Sequence, residues 1–438
     1  MPPHLGVRFR VLTTAVALVV LTPVVSRGQG IVLPGVGPIN AGFGGAGTAA
    51  PLDATGALYW NPAAISALED RVDIGVELLS SRNTVSSRVA AGVFGMGSPA
   101  ASGSTRNDSG MAPLPAIGAI TRPEGSPFTY GISLLTIGGF FVNFPASTTN
   151  PVFTAPPKGG GLGSVYSRLS ILQIAPTVAA DLGNGWSVGA APTINVADLQ
   201  LSAAPFSALN FANGVPFYPQ AFQGRLRYGL GFQVGVYYQS ERDLNFGFSF
   251  KSPQWFEQFS WNSTNESASP QTFRTNLTYP MILSWGVSYT GIEKLIVATD
   301  LRYIGYSSAS GFGGSPAFRK DGSIAGLGWH DVFALGVGAQ YQLTDRFTAR
   351  AGYTYNQNPI PAATTFLNVA APGVFQHGLD LGVTYKLTDR VSLSAAWVHA
   401  FSASISGPFV YPTGPVPGTQ VRAEQQTDSA IAGLTFNY

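Results

Sequence analysis

From residue 71 to the end, the chain repeats one pattern, an alternation of apolar with polar or small side chains. In 377–389, Leu379, Leu381, Val383, Tyr385 and Leu387 point one way, and Gly378, Asp380, Gly382, Thr384 and Lys386 the other. In 224–239 the even positions from Leu226 to Tyr238 are bulky and apolar, while the odd ones include Arg225, Arg227, Gly229, Gly231, Gln233 and Gly235. Such runs extend over roughly ten to eighteen residues, against about 5–6 for an ordinary strand. A strand that long, greasy on one face only, suits a barrel that crosses a membrane.

Fourteen runs of this kind can be counted between residues 71 and 438. Short turns, such as 122–127, 181–185, 241–243, 291–294, 344–346 and 388–390, alternate with long connections. The long ones fall at 89–111, 145–165, 205–223, 262–272, 309–328, 361–374 and 407–422. This asymmetry is that of an outer-membrane barrel with periplasmic short turns. The expected fold class is therefore all-β, a 14-stranded antiparallel transmembrane β-barrel, with both mature termini periplasmic. Tyr238, Tyr289, Tyr341, Tyr385 and Tyr438 end inward-running strands at one height on the greasy face, as an interfacial aromatic girdle does. The final strand ends in an aromatic with Phe436, Leu434 and Ala432 on one face, resembling a signal read by barrel-assembly machinery.

The start of the chain agrees. Residues 1–28 combine Arg8 and Arg10, an apolar stretch over 11–25 and small residues Ser26 and Gly28 around Arg27. This reads as a secretory signal peptide. Pro23 interrupts the run, which is too short for a membrane-spanning helix. Residues 42–47 fit the G-x-G-x-x-G spacing of a dinucleotide loop, but such a loop should follow a buried strand. Here it follows Pro34 and Pro38 in an exported chain with 53 glycines, so no cofactor is expected. There is no cysteine, only 11% of residues are charged, and the net charge is +2, which excludes a nucleic-acid footprint. The four histidines have no partner at metal-ligand spacing, and no nucleophile–base pair supports an enzyme.

Residues 29–70 do not alternate. The stretch "LDATGALYWNPAAISALED" reads as short helical turns broken at Pro62, a segment suited to plug the lumen. Residues 42–68, "GFGGAGTAAPLDATGALYWNPAAISAL", resemble the N-terminal hatch of the FadL/TodX (OMPP1) family, with Asn61-Pro62-Ala63 matching its Asn-Pro-Ala motif. Residues 350–361 and 377–401 resemble the family's late strands. The resemblance implies a signal peptide (1–28), a hatch (29–70) and a 14-stranded barrel (71–438). It also implies capture of hydrophobic compounds at the outer face, hatch rearrangement and sideways release through a kinked strand. Long-chain fatty acids are the expected cargo, with outer-membrane lipids around the barrel. Monoaromatic hydrocarbons and a general diffusion porin are the alternatives.

Gly138-Gly139 within the third strand can supply the kink. For a carboxylate headgroup the inward cations are Arg225, Arg227 and Arg274 near the outer mouth, Lys251 deeper, and Arg350 toward the periplasm. The competing reading pairs them with the lumen carboxylates Asp73, Glu77, Asp300 and Asp380.

Overall fold

The computed structural model describes residues 29–438 except 155–160, 213–214, 223–224 and 265–268, so the signal-peptide segment lies outside the described residues. The described strands are β1 (Arg71–Val89), β2 (Ala101–Arg106), β3 (Met111–Thr121), β4 (Phe128–Phe144), β5 (Val165–Gly183) and β6 (Trp186–Ser202). A small hairpin follows, β7 (Asn210–Ala212) and β8 (Val215–Phe217), then β9 (Arg227–Gln239), β10 (Leu244–Lys251) and β11 (Gln254–Phe256). Next come β12 (Phe259–Thr264), β13 (Pro270–Thr275), β14 (Thr278–Tyr279), β15 (Met281–Ile292) and β16 (Leu295–Gly305). The last are β17 (Val332–Gln342), β18 (Phe347–Asn356), β19 (His377–Lys386), β20 (Val391–Tyr411) and β21 (Gly414–Asn437).

They close into an antiparallel barrel of 14 staves, β21 pairing back onto β1 from Arg71↔Asn437 to Val89↔Thr419. The wall sheet has 17 segments because three staves are broken, as β2–β3, β10–β11 and β14–β15. Pro253 and Pro280 sit at two of the breaks, where a missing N–H interrupts the ladder. The expected runs 244–261 and 273–290 therefore divide. Their outer parts, β12 and β13, leave the wall and pair only with each other. Two long connections are also shorter than expected. Within 89–111, β2 extends the second stave against β1. Across 407–422 there is no loop but a continued hairpin turning at Gly414. Buried Phe409 stacks on Phe366 of the loop turn Ala362–Asn368 (5.0 Å), and this packing holds the Gly/Pro-rich extension straight.

Exposed Leu381, Val383, Ile74, Val76, Trp285 and Leu434 mark the lipid face. Inside, residues 29–70 form α1 (Gly37–Ala41), α2 (Ala54–Trp60) and a 3-10 turn over Pro62–Ala67. Asp53 starts α2 by accepting from Gly56 N, and Asn61 both ends α2 and caps the next turn, because Pro62 cannot continue the helical ladder. Every residue of α1 and α2 is buried.

Candidate functional site

The hatch seats on the wall at backbone distance. On successive staves Gly75, Gly118, Gly131, Gly189, Gly235, Gly247, Gly286, Gly338, Gly352, Gly382 and Gly433 each have hatch atoms where a side chain would stand. The three staves without such a glycine present alanine: Ala179, Ala298 and Ala396 pack on hatch residues of the same layer. This ring of inward glycines is thus the footprint of the plug. The G-x-G-x-x-G stretch belongs to it: Gly44 (φ +68) and Gly45 (φ +65) take left-handed backbone so that the turn can press on Val337 and Pro34.

Polar side chains hold this seat. Asp300 on β16 is fully buried, and its Oδ2 accepts from Gly47 N (2.9 Å), Thr48 N (2.9 Å) and Thr48 Oγ1 (2.7 Å). Arg302 donates to Asp300 (2.6 Å) and to Gly45 O (2.5 Å), with its guanidinium 3.5 Å above the Trp60 ring. Asn61 Nδ2 donates to Thr48 O (2.8 Å) and to Val236 O on β9 (3.0 Å), while its Oδ1 accepts from Ala63 N (3.1 Å). Asn61 therefore caps a turn and also ties the hatch to the wall. Pro62 and Ala63 lie against Gly189. Gln233 Nε2 and Ser249 Oγ donate to Trp60 O, at 2.9 and 2.5 Å. In the sequence Asp300 stood only among the lumen carboxylates and Arg302 carried no signal, since nothing local says that a strand Asp meets a segment some 250 residues earlier.

The wall is interrupted beside the hatch. The β3–β4 ladder runs only from Ala116↔Leu135 to Thr121↔Tyr130, although both strands continue outward. Pro113 and Pro115 lack the donors that a longer ladder needs. The β4–β5 register shifts between Thr136 and Gly138, and β4 turns its free backbone to the hatch. Leu33 N donates to Ile137 O (3.4 Å) and Gly139 N to Ile31 O (3.2 Å). Gly138 and Gly139 thus lie at a bulge, where added methyl groups would strike Ile31 O and Leu169 O. A cavity partly open to solvent adjoins this interruption. Phe140, Phe141, Val142, Ile31, Val32 and Trp329 supply apolar lining, with Glu77, Asn83, Gln425 and Ser429 as polar lining.

The candidate headgroup residues are not gathered in one place. Lys251 is buried deep in the lumen, 3.3 Å from Gln173 Oε1 and 4.4 Å from the Tyr59 ring centroid. Arg350 is buried on β18 and donates to Gln340 (2.6 Å) and Thr384 (2.7 Å). Arg227 donates to Ser260 Oγ (2.5 Å), and its Nε is buried without a partner. Arg225 is exposed just before β9. Arg274 lies outside the wall strands, paired opposite Ser260, the residue to which Arg227 donates. It stands on the exposed face of the β12–β13 hairpin, whose other face turns Phe273 to the core, because the stave ends before it. Among the described residues none of the five pairs with a carboxylate. Asp73 pairs with Arg71 (2.8 Å) and Asp300 with Arg302; Glu77 accepts from Ser429 (2.6 Å), and neither oxygen of buried Asp380 has a partner. The expected lumen pairing is thus met by other arginines.

A closed barrel, an internal N-terminal plug and one broken ladder beside an apolar cavity define the type of molecule. The model of the family described as outer membrane protein transport protein (OMPP1/FadL/TodX) matches residues 21–438. The chain belongs to this family. Among OMPP1/FadL/TodX relatives, outer membrane protein P1 of Haemophilus influenzae is 25% identical over 50% of this chain and 49% of its own length. The long-chain fatty acid transport protein of Escherichia coli K12 is 22% identical over 64% of this chain and 62% of its own. The chain thus spans about half to under two thirds of these curated relatives. Two solved structures share the fold: a Pseudomonas aeruginosa FadL homologue (TM-score 0.69, 15% identity, 93% of this chain and 100% of that one) and the Pseudomonas putida toluene transporter TodX (0.67, 14%, 94% and 100%). Like other members of the family, this chain is an outer-membrane barrel.

Proposed function

We propose that the protein carries hydrophobic compounds across the outer leaflet, with the hatch as gate and the β3–β4 interruption as a sideways exit. The observation that supports it is the bulge at Ile137, which turns β4 away from β3 where the apolar cavity meets the wall. An apolar solute leaving there enters hydrocarbon without crossing the polar seat of the hatch. Deleting Ile137 removes the extra residue of the bulge. The assembled variant should lose uptake of every hydrophobic substrate, and undiminished uptake would rule out this exit.

Long-chain fatty acids are the first substrate class. Burial of an acyl chain is worth about 0.8 kcal/mol per methylene, and a carboxylate entering a water-poor channel needs a cationic or hydrogen-bonded partner. Arg225 and Arg227 stand near the outer mouth, and among the described residues no carboxylate pairs with them. A second reading, monoaromatic hydrocarbons, is favoured by the cavity itself, where Glu77 is the one charged lining residue among the described residues. The Arg225→Gln/Arg227→Gln variant separates the two. Selective loss of fatty-acid uptake, with a monoaromatic unaffected, supports the first; equal fatty-acid uptake by variant and wild type removes it.

A further inference from the structure

The outside of the barrel carries a cluster of arginines around β1. On β1 the even positions face outward: Ile74, Val76 and Leu78 are exposed, while Asn83, Val85 and Ser87 on the odd positions are buried. Followed upward, the same outward face becomes Arg82 and Arg88, both exposed. Pairing adds an exposed arginine on each flank, Arg106 of β2 opposite Thr84 and Arg422 of β21 opposite Ser86. The hydrogen bond between Ser86 Oγ and Ser104 Oγ (3.1 Å) confirms that β1 and β2 share this face.

The height of the patch identifies its surroundings. Ten residues separate Val72, at the foot of the apolar face, from Arg82. At ~3.3 Å per residue and a tilt of ~40°, that is about 25 Å, the height of the apolar band of such barrels. Arg82 and Arg106 therefore stand where hydrocarbon gives way to headgroups, and Arg422 and Arg88 lie roughly 10–15 Å farther out. The two carboxylates that β21 places on this face are engaged: Glu424 by Arg422 (3.6 Å) and Ser402 (2.8 Å), Asp428 by His399 (2.7 Å). Among the described residues Arg82, Arg88 and Arg106 have no carboxylate partner.

We propose that this patch binds the phosphorylated saccharide headgroup of an outer-leaflet glycolipid. Guanidinium groups take phosphate in a two-pronged fashion, and a lipid whose chains lie on Ile74, Val76 and Leu78 delivers its headgroup to the lower tier. The upper tier then meets phosphates carried farther along the sugar. The two tiers fit this chemistry better than a simple anionic phospholipid, which has charge at one level only.

The test uses the full-length protein in detergent, titrated with bisphosphorylated lipid A and, in parallel, with phosphatidylglycerol, and read by native mass spectrometry. The wild type should prefer lipid A. Arg82→Gln/Arg106→Gln should bind it roughly thirtyfold more weakly, two cations near an anionic lipid surface having been removed. Lys320→Gln, an exposed lysine in the connection between β16 and β17 on the other side of the barrel, should bind as wild type does. Arg88→Gln/Arg422→Gln should weaken binding of a lipopolysaccharide with a phosphorylated core more than that of lipid A. Fast migration of the unheated protein in SDS separates folding from binding. Equal lipid A binding by wild type and the Arg82/Arg106 variant would overturn the assignment, as would equal affinity of the wild type for phosphatidylglycerol.

Discussion

Replacing Asp300 by alanine should unseat the hatch while leaving the wall intact. The wall side is backbone pairing: Asp300 sits between Gly286 and Gly336 in ladders that alanine preserves. The hatch side is the carboxylate itself, which holds Gly47 N, Thr48 N and Thr48 Oγ1. Its removal also strands Arg302, whose side chain is only 1% exposed. Breaking a buried ion pair by deleting one partner costs about 3–5 kcal/mol. Spent on the equilibrium between seated and unseated hatch, that is roughly a 10²- to 10⁴-fold shift toward unseated. Three readouts follow it: single-channel conductance in planar bilayers, sensitivity of cells to a bulky hydrophilic antibiotic, and proteolysis of residues 29–70 in the detergent-solubilised barrel. All three should rise, with unchanged heat-modifiable migration. Asp300→Ala/Arg302→Met, which leaves no unpaired charge, should be less leaky than Asp300→Ala alone. An Asp300→Ala protein that assembles and shows wild-type conductance and proteolysis would refute the latch.

Three further outcomes can be checked. Asn61→Ala removes the donor to Thr48 O and Val236 O as well as a cap worth about 1 kcal/mol, so uptake should fall at equal assembled protein; loss of assembly would make Asn61 a folding residue. Leu381→Arg places a charge on the lipid face and should cost about 2–4 kcal/mol in reversible unfolding from bilayers, and wild-type stability would contradict the register. Gly235→Val should drive Asn61 off its seat and reproduce the leak of Asp300→Ala without destabilising the wall; a tight channel would show that the hatch tolerates a side chain there.

Strand number, face assignment and the N-terminal plug were legible in the sequence because each rests on short-range pattern. A lipid-exposed wall demands period-two alternation, so the spacing alone places Leu381 and Val383 outside and Gly382 inside. Pro62 and Asn61 similarly mark the end of a helical turn by local chemistry. Gly/Pro content misled at 407–422, where tertiary packing of Phe409 on Phe366 keeps an unpromising segment in the sheet. Alternation alone did not show that the stave ends before Arg274, which belongs to a hairpin paired outside the wall. The seat of the hatch belonged to tertiary structure alone. Each glycine in the ring is explained by a hatch atom far away in sequence, and Asp300 and Arg302 acquire their role only when closure of the barrel carries Gly45–Thr48 to them. Alternation reports which face a residue occupies, because that is set by its immediate neighbours. Which residue it meets across the lumen is set by the circumference and by the path of the plug, and no local pattern records either.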